Sequence, residues 1–427
     1  MVQDLALQRN KYKHLSDEEW RWFLQQVEGR ERTADKLPTF AAIDDWWYPV
    51  RLSCEQCSSE ATARYKASIL PSFQGEELRS IGLPVAVRRT IRGRLLDLTG
   101  GYGVDTYFLS EHFDHTDYVE QNAELCRIAE HNFQRPTPTL PKGKEIYVHN
   151  TTAEEFLKDH LSAISNHLYD LIFLDPARRD SHGGKVFKLA DCTPNVVELL
   201  PTLLSRLTPD GRILLKLSPM IDLTQALKEL APSYTLHHTP YTLLWDVHIV
   251  AVKNEVKEVL LMSRYTDVSK YRDLEPTITA IDLSKKEQVF TFTREEESVS
   301  EAVCQSEGRS VLCQTQSVYL FEPNAAILKA GAYKLVGGRF GVQKLDVNTH
   351  LYCSETLVEN FPGRVFKAIP FKERMGVGPQ ANVLVRNYPL TAEQLKKKLH
   401  LRDGGTAYVI GCRVAGKPTV FLTERLQ

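Results

Sequence analysis

The chain has 427 residues, which is too long for one compact domain, so we expect roughly two to four domains. Hydrophobic residues make up 42% and charged residues 25%, with a net charge of −1, values that are typical of a soluble globular protein. The apolar runs are far shorter than the ~20 residues that cross a bilayer, and the chain begins without the apolar core of a signal peptide, so we expect a cytoplasmic protein without a membrane partner.

The first segment, residues 1–85, is predicted to be a helical region. A capping pattern opens the stretch SDEEWRWFLQQVEG, in which Ser16 can cap a helix and Glu19 follows three residues later. A further helix is predicted over CSSEATARYKASIL, and the tryptophans of DDWWYPV are expected in a core because clustered aromatic residues usually bury area. Cys54 and Cys57 form a CxxC without a second pair at zinc-ribbon spacing, so we interpret them as buried reduced thiols rather than metal ligands.

Residues 86–262 alternate between predicted strands and predicted helices. The strands are expected in the segments GRLLDLT, TDYVEQ, KEIYVHN, YDLIFLDP and GRILLKLS. Such alternation predicts a parallel sheet with right-handed crossovers. The last two strands differ, because only the polar KNE joins YTLLWDVHIVAV to EVKEVLLMS, and a link that short permits only an antiparallel hairpin.

The remaining chain is predicted to form two smaller parts. For residues 263–327, which mix strand-like and acidic segments, we expect a small α+β, ferredoxin-like connecting region. Residues 328–427 alternate strands with short helices. From Lys329 to Arg425 there are 16 Lys and Arg against 7 Asp and Glu, an excess of nine positive charges. This excess favours an anionic partner such as RNA, although a solvated basic surface without a ligand would have the same composition.

A glycine-rich turn follows the first predicted strand, in the stretch LLDLTGGYGVDT. Strand, glycine turn and helix form the arrangement of dinucleotide-binding folds, whose phosphate-binding pattern is GxGxxG. Gly101 and Gly103 supply two of these glycines, and Thr106 stands at the third position. Asp97 ends the strand, where a carboxylate would repel a pyrophosphate but would suit the ammonium of an amino acid. The turn therefore favours S-adenosylmethionine (SAM), which carries such an ammonium, over a nicotinamide dinucleotide.

These residues resemble the motifs of class I SAM-dependent methyltransferases. The first motif is similar to LLDLTGGYG, the second to YVEQN and the third to VHNTTAEEF, and the resemblance covers about 86–262. It implies that Glu120 binds the ribose hydroxyls and that Thr152 or Ala153 lies near the adenine, where the family often has an acid. The SAM site that the resemblance implies consists of Asp97, Thr99, Gly101, Gly103, Glu120, Thr152 and Ala153.

The fourth predicted strand ends in FLDPARRD, and open α/β sheets bind ligands outside the carboxyl ends of their strands. Methyltransferases that act on exocyclic amines of bases, or on glutamine, are similar here, with an acid or Asn, two prolines and an aromatic residue. The resemblance implies that Asp175 and the Pro176 carbonyl accept hydrogen bonds from the amine. Arg178 replaces the aromatic residue and can stack on a base or bind a phosphate, unless it pairs with a nearby aspartate. We also expect Lys216 at this sheet edge, with a carboxylate partner.

The THUMP-like region found beside bacterial methyltransferase domains resembles two C-terminal stretches, YLFEPNAAILKAGAYKLVGGRFGVQKLDVNTHLYCS and FPGRVFKAI. THUMP domains are RNA-binding modules, usually of tRNA-modifying enzymes, so this resemblance implies a role with RNA. Candidate stacking faces are Tyr333 and Phe340. The candidate phosphate contacts are Lys329, Lys334, Arg339, Lys344, Lys367, Lys372, Arg374, Lys396, Lys397 and Lys398.

We therefore predict an α/β protein with a class I methyltransferase (Rossmann-like) sheet and an antiparallel C-terminal hairpin, an N-terminal helical region and an α+β THUMP-like C-terminal domain. Its predicted activity is SAM-dependent methylation of a base nitrogen of tRNA or rRNA, without a metal. Two alternatives stay open. One is a methyltransferase for a small molecule or a protein, and the other is a non-catalytic RNA-binding protein with a degenerate methyltransferase fold.

Overall fold

The structure is a computed structural model that describes residues 9–70, 93–134, 145–162, 168–178, 188–231, 241–267, 275–284, 287–301, 318–371 and 380–426. The chain divides into two compact units. The first unit comprises residues 1–245 and 260–272, and the second unit comprises residues 246–259 and 273–427. Among the described residues, no helix is long and apolar enough to span a membrane.

Helices open the first unit, as the sequence predicts. They are α1 (Asp17–Thr33), α2 (Pro38–Ala41), α3 (Arg51–Gln56) and α4 (Glu60–Ser68). Helix α1 begins at the predicted capping box, in which the Ser16 hydroxyl accepts a hydrogen bond from the Glu19 N–H and the Glu19 carboxylate accepts one from the Ser16 N–H. The CxxC cysteines are free thiols, of which Cys54 is buried and Cys57 half-buried.

A parallel sheet forms the centre of the first unit, which confirms the prediction. The strands of this part of the chain are β1 (Arg94–Asp97), β2 (His115–Glu120), β3 (Glu145–Asn150), β4 (Tyr169–Leu174), β5 (Ala177–Arg178), β6 (Cys192–Thr193) and β7 (Leu207–Leu217). Five of them lie in the order β7-β4-β1-β2-β3 with parallel pairing, whereas β5 and β6 form a separate antiparallel pair. Strand β1 is therefore central, and the carboxyl ends of β1, β2, β4 and β7 meet at one edge of the sheet.

Helices connect these strands. They are α5 (Val104–Leu109), α6 (Ala123–Phe133), α7 (Ala153–Ser162), α8 (Val196–Ser205) and α9 (Leu223–Leu230). Helix α5 follows β1 directly through the glycine turn, and α6 follows β2 after the cap residue Asn122, whose side-chain oxygen accepts hydrogen bonds from the first turn. Each of these helices therefore begins at the carboxyl edge of the sheet, where ligands of such folds bind.

The predicted hairpin follows the parallel strands in the chain. Its strands are β8 (Tyr241–Val252) and β9 (Glu255–Asp267), and Lys253 and Asn254 join them. Both joining residues have positive φ, 54° and 62°, which is typical of a two-residue type I′ hairpin turn. In the first unit β9 lies next to β7, where the Ser263 hydroxyl accepts a hydrogen bond from the Ile213 N–H at 2.7 Å.

The second unit is an α+β structure. Its strands are β10 (Thr277–Asp282), β11 (Gln288–Thr293), β12 (Val318–Pro323), β13 (Gln343–Asp346), β14 (Thr349–Ser354), β15 (Gly363–Pro370), β16 (Asn382–Arg386), β17 (Ala407–Val414) and β18 (Lys417–Arg425). Seven of them form a sheet in the order β13-β14-β12-β15-β18-β17-β16. The helices are α10 (Arg294–Val299), α11 (Ala325–Ala330), α12 (Leu335–Phe340) and α13 (Ala392–Lys398).

Candidate active site

The glycine turn lies between β1 and α5, at the carboxyl edge of the sheet. Gly101 and Gly103 have positive φ angles of 57° and 80°, which other residues adopt only with strain. Gly100 is required for a different reason, because a Cβ atom there would lie 2.1 Å from the ring of Tyr118. The glycines therefore allow the tight turn between β1 and α5.

Asp97 ends β1 and is fully buried, with 0% exposure. Its Oδ1 accepts a hydrogen bond from the Thr99 N–H at 3.0 Å, and its Oδ2 accepts one from the Thr106 hydroxyl at 2.5 Å. Burial raises the pKa of Asp97 to about 7, although these two hydrogen bonds oppose the shift. Asp97 therefore holds both ends of the glycine turn, and its direct contact with a ligand ammonium stays a prediction.

Glu120 ends β2 beside the glycine turn. Its Oε2 accepts a hydrogen bond from the Gly101 N–H at 2.9 Å, and its Oε1 accepts one from the Asn122 N–H at 2.7 Å. The carboxylate thus lies where the turn meets the start of α6, the position that the sequence predicts for a ribose ligand. On the next strand along, Thr152 caps α7 and Ala153 begins it, 6% exposed.

Asp175 follows β4 and is tied to two neighbouring elements. Its N–H donates a hydrogen bond to the Thr99 hydroxyl at 2.6 Å, which connects the acceptor loop to the glycine turn. Its carboxylate forms an ion pair with Lys216 near the end of β7, which is the carboxylate partner that the sequence predicts for this lysine. The Asp175 side chain is 40% exposed and the Lys216 side chain 13% exposed, so the aspartate is the accessible member of the pair.

The other predicted residues of the acceptor loop are described in part. Pro176 is half-buried. Arg178 pairs through its backbone with Cys192 in the β5–β6 ribbon. The side chain of Arg178 and all of residues 179–187 lie outside the described residues, so the predicted roles of this loop stay predictions.

A second carboxylate, that of Asp105 on α5, lies beside the Asp175–Lys216 pair. Its Oδ1 lies 3.1 Å from the Nζ of Lys66 on α4, and its Oδ2 accepts a hydrogen bond from the Ser58 hydroxyl at 2.7 Å. The Nζ of Lys216 is 3.9 Å from the same Oδ2. Burial alone would raise the pKa of Asp105, but the charges of Lys66 and Lys216 outweigh burial and lower the pKa. The four charged side chains form an alternating series, Lys66, Asp105, Lys216 and Asp175.

The N-terminal helical region is held against the glycine turn. Tyr102, in the middle of that turn, is 5% exposed, and its hydroxyl accepts a hydrogen bond from the Trp46 indole N–H at 3.0 Å and donates one to the Trp47 carbonyl at 3.1 Å. Asn132 on α6 pairs with the Trp47 backbone through both side-chain atoms, at 2.9 and 3.0 Å. The tryptophans of DDWWYPV thus belong to the interface between this region and the turn.

One cavity of about 240 Å³ unites these elements. The predicted site residues that line it are Thr99, Gly101, Gly103, Glu120, Thr152, Ala153 and Asp175. Asp97 and Pro176 are not among the described lining residues. Sequence reasoning missed part of the wall, which consists of Ser53, Gln56, Cys57 and Ser58. No local pattern marks these residues, because they reach the cavity only through the packing of the N-terminal helices against the turn.

The lining of the cavity fits an adenosyl amino acid better than a dinucleotide. Four acidic residues, Asp105, Glu120, Glu154 and Asp175, line it. Carboxylates repel a pyrophosphate, whereas they accept hydrogen bonds from ribose hydroxyls and attract cations. Within the described part of the chain, no group of three or more His, Cys, Asp and Glu side chains is placed to hold a metal ion.

Comparisons with known proteins agree with this geometry. Family models of a ferredoxin-like domain and of a THUMP-like domain match residues 319–362 and 370–425. A protein of Porphyromonas gingivalis W83, provisionally named a methyltransferase, is 31% identical with a TM-score of 0.72, over 97% of this chain and 92% of that one. Human methyltransferase-like protein 13 in complex with SAH is 20% identical with a TM-score of 0.32, over 48% of this chain and 82% of that one. An rRNA methylase from Streptococcus thermophilus is 14% identical with a TM-score of 0.28, over 40% of this chain and 86% of that one. No curated protein sequence matches significantly.

The fold and the site define the class: this is an α/β protein with a class I methyltransferase fold and a THUMP-like C-terminal domain. The chain belongs to the same family as the Porphyromonas gingivalis protein. The sequence predicts a ferredoxin-like region at 263–327, whereas the ferredoxin-like family model matches residues 319–362, mostly after that segment. The predicted domain boundaries stay predictions.

Proposed function

We propose that this protein is a SAM-dependent methyltransferase that modifies a base nitrogen of tRNA or rRNA. The observation that carries the proposal is the convergence of the glycine turn, Glu120 and the Asp175–Lys216 pair on one cavity. When bound, SAM supplies a methyl group on a positively charged sulfur, which is already a strong electrophile. The chain therefore mainly has to hold the cofactor and to position the acceptor nitrogen.

Five lining residues hold the cofactor in this proposal. Glu120 accepts hydrogen bonds from the ribose hydroxyls at the acceptor positions of its carboxylate that the Gly101 and Asn122 N–H groups do not use. The backbone of Gly101 and Gly103 borders the methionine part, because both residues line the cavity. Thr152 and Ala153 border the adenine at the start of α7.

Asp97 and Thr99 support this site from behind. Asp97 fixes the Thr99 N–H and the Thr106 hydroxyl, and the Thr99 hydroxyl fixes the backbone of the acceptor loop. In this proposal these hydrogen bonds set the distance between the cofactor and the acceptor. Asp97 is fully buried and is not among the described lining residues, so its role in this proposal is to hold the turn.

The acceptor is positioned by the loop after β4. Asp175 accepts a hydrogen bond from the amine and aligns its lone pair, which is an orientation effect. Lys216 holds the Asp175 carboxylate in place through the ion pair. The Pro176 carbonyl provides a second acceptor, and Arg178 binds the base or a phosphate.

The substitution Asp175→Ala tests the catalytic part of the proposal. We expect this variant to bind SAM as the parent does and to lose at least about 100-fold in methyl transfer, because positioning contributes at this scale. Transfer is measured with methyl-labelled SAM and total RNA from a strain that lacks the protein, followed by nucleoside mass spectrometry. Asp210→Ala, which changes an exposed aspartate outside the cavity, is the matched control. Undiminished transfer by Asp175→Ala would remove this residue from the mechanism.

The RNA part of the proposal is supported by the THUMP-like match and by the basic C-terminal end. Three of the predicted phosphate contacts, Lys367, Lys397 and Lys398, are exposed and have no ion-pair partner among the described residues. Lysines of this kind can contact phosphates without first breaking an internal ion pair.

Salt-dependent binding of total tRNA tests this part. We expect the affinity to fall with salt, and each of Lys397→Ala and Lys398→Ala to reduce the slope of log K against log salt by about 0.7 to 0.9. Lys158→Ala, at an exposed lysine of the first unit, serves as the control. Binding of SAM without salt-sensitive RNA binding would instead favour a methyltransferase for a small molecule or a protein. RNA binding without SAM binding would favour a non-catalytic RNA-binding protein.

A further inference from the structure

We infer that the N-terminal helical region is part of the cofactor site, and that Ser53 and Gln56 on α3 bind the amino-acid end of SAM. This inference rests on the proposed function. It assigns a ligand role to a region that lies outside the class I motifs, and it concerns the α-carboxylate and α-ammonium of the ligand.

The composition of the cavity wall supports a ligand role for α3. Ser53 and Gln56 line the same cavity as the glycine turn and Glu120. Within the described residues, neither the Ser53 hydroxyl nor the Gln56 amide has a hydrogen-bond partner. A hydroxyl and an amide each both donate and accept hydrogen bonds, so together they match a carboxylate and an ammonium.

A second observation is that the acid expected at this end does not reach the cavity, because Asp97 is not among the described residues that line it. Asp97 is fully buried, and each of its oxygens accepts a hydrogen bond from the turn, from the Thr99 N–H and from the Thr106 hydroxyl. A polar ligand group that leaves water without gaining partners would lose binding free energy. The amino-acid end therefore needs partners that reach the cavity, and the N-terminal wall supplies them.

The N-terminal wall of the cavity is fixed in place by contacts on both sides of α3. Lys66 is fully buried and pairs with Asp105 at 3.1 Å, which joins α4 to α5 directly after the glycine turn. Ser58, in the linker between α3 and α4, donates to the same carboxylate at 2.7 Å. Tyr102 of the turn is bonded to Trp46 and Trp47 on the other side. A wall anchored at both ends has its backbone ordered before the ligand binds, so only the side chains are immobilised on binding.

A comparison of two ligands tests the inference. S-adenosylhomocysteine carries the amino-acid end, whereas 5′-methylthioadenosine shares the adenosine and the thioether but lacks that end. We expect Ser53→Ala and Gln56→Ala to weaken S-adenosylhomocysteine binding by about tenfold each, the loss of a hydrogen bond to a charged group, and to leave 5′-methylthioadenosine binding unchanged. Both affinities are measured by equilibrium dialysis on the full chain. Leu52→Ala, on the same helix but 60% exposed and outside the cavity wall, is the matched control and should change neither affinity.

The outcomes separate this inference from the proposed function. Unchanged S-adenosylhomocysteine affinity in both variants overturns the inference and leaves the proposed function intact. An equal loss for both ligands also overturns it, because the residues would then only support the fold of the wall. Failure of the parent protein to bind either ligand overturns the proposed function, and the inference with it.

Discussion

Thr106 replaces the third glycine of the dinucleotide-binding pattern GxGxxG. It stands at the third glycine position, is fully buried, and donates its hydroxyl to Asp97 at 2.5 Å. A dinucleotide fold needs glycine there for close helix packing. Here a small hydrogen-bonding side chain fits instead, and it depends on an acid at the end of β1. Asp97 and Thr106, the two departures from the dinucleotide pattern, are therefore coupled, because each is the hydrogen-bond partner of the other.

The titration of Asp97 gives a prediction at this scale. Burial raises its pKa to about 7 from an ordinary value of 3.8, so near pH 5 the folded chain holds a proton that the unfolded chain has released. This contribution to stability is complete below the unfolded pKa and is lost as the pH rises through the folded pKa. Asp97→Asn removes the titration. We therefore expect the difference in unfolding free energy, parent minus variant, to fall as the pH rises from about 5 to about 8.

Urea unfolding of both proteins across this range measures that difference. The amide also changes the hydrogen bonds to Thr99 and Thr106, which adds a pH-independent amount to the difference in unfolding free energy. The expectation therefore concerns only how this difference changes with pH. A difference that stays constant with pH, or that rises, would show that Asp97 is ionised in the folded protein throughout.

At the scale of elements, the contact between α4 and α5 is unusual because it is ionic and buried. The Lys66 side chain is 0% exposed and the Asp105 side chain 11% exposed. Among the described residues, removing Lys66 leaves the Asp105 carboxylate with only the Ser58 hydroxyl and the more distant Lys216. We therefore expect Lys66→Met to lower the free energy of unfolding by about 3 kcal/mol, the lower end of the range for a broken buried pair. The matched control is Arg51→Met, whose ion pair with Glu55 is 60% and 51% exposed and is expected to contribute far less because solvent screens it. Equal losses in urea unfolding would contradict a structural role for the buried pair.

The sequence predicts the parallel strands and the hairpin well, because local features determine both. Strand β4 ends in four consecutive apolar residues, Leu171 to Leu174, and the two-residue link at Lys253 and Asn254 leaves one geometry for β8 and β9. Acids and glycines at strand ends meet at one edge whenever strands are parallel, so Glu120 and Asp175 could be predicted to face one site. The contribution of Ser53 and Gln56 could not, because it depends on contacts such as that of Trp46 with Tyr102, which lie far apart in sequence.

At the scale of the whole molecule, counting charges overstates the basic surface. Arg364 and Arg386 both pair with the buried Glu322. Lys396 pairs with Asp403, and the predicted contact Arg339 pairs with Glu296. Internal pairing thus uses several of the 16 basic residues between Lys329 and Arg425.

The predicted stacking faces of the second unit also have internal partners. The Tyr333 ring stacks on His350 at 3.9 Å, and Phe340 packs against Phe361 at 5.2 Å. Lys372 and Arg374 lie outside the described residues. The RNA-binding surface proposed for this unit therefore depends on Lys367, Lys397 and Lys398 more than on the aromatic residues or on the total charge.

The most direct test of the account is a crystal structure of the full chain grown with S-adenosylhomocysteine. The account predicts electron density for the ligand in the cavity of the first unit, with the ribose hydroxyls on the Glu120 carboxylate and the sulfur facing the Asp175–Lys216 pair. Ligand density elsewhere in the chain, or this cavity filled by the protein's own side chains, would contradict it.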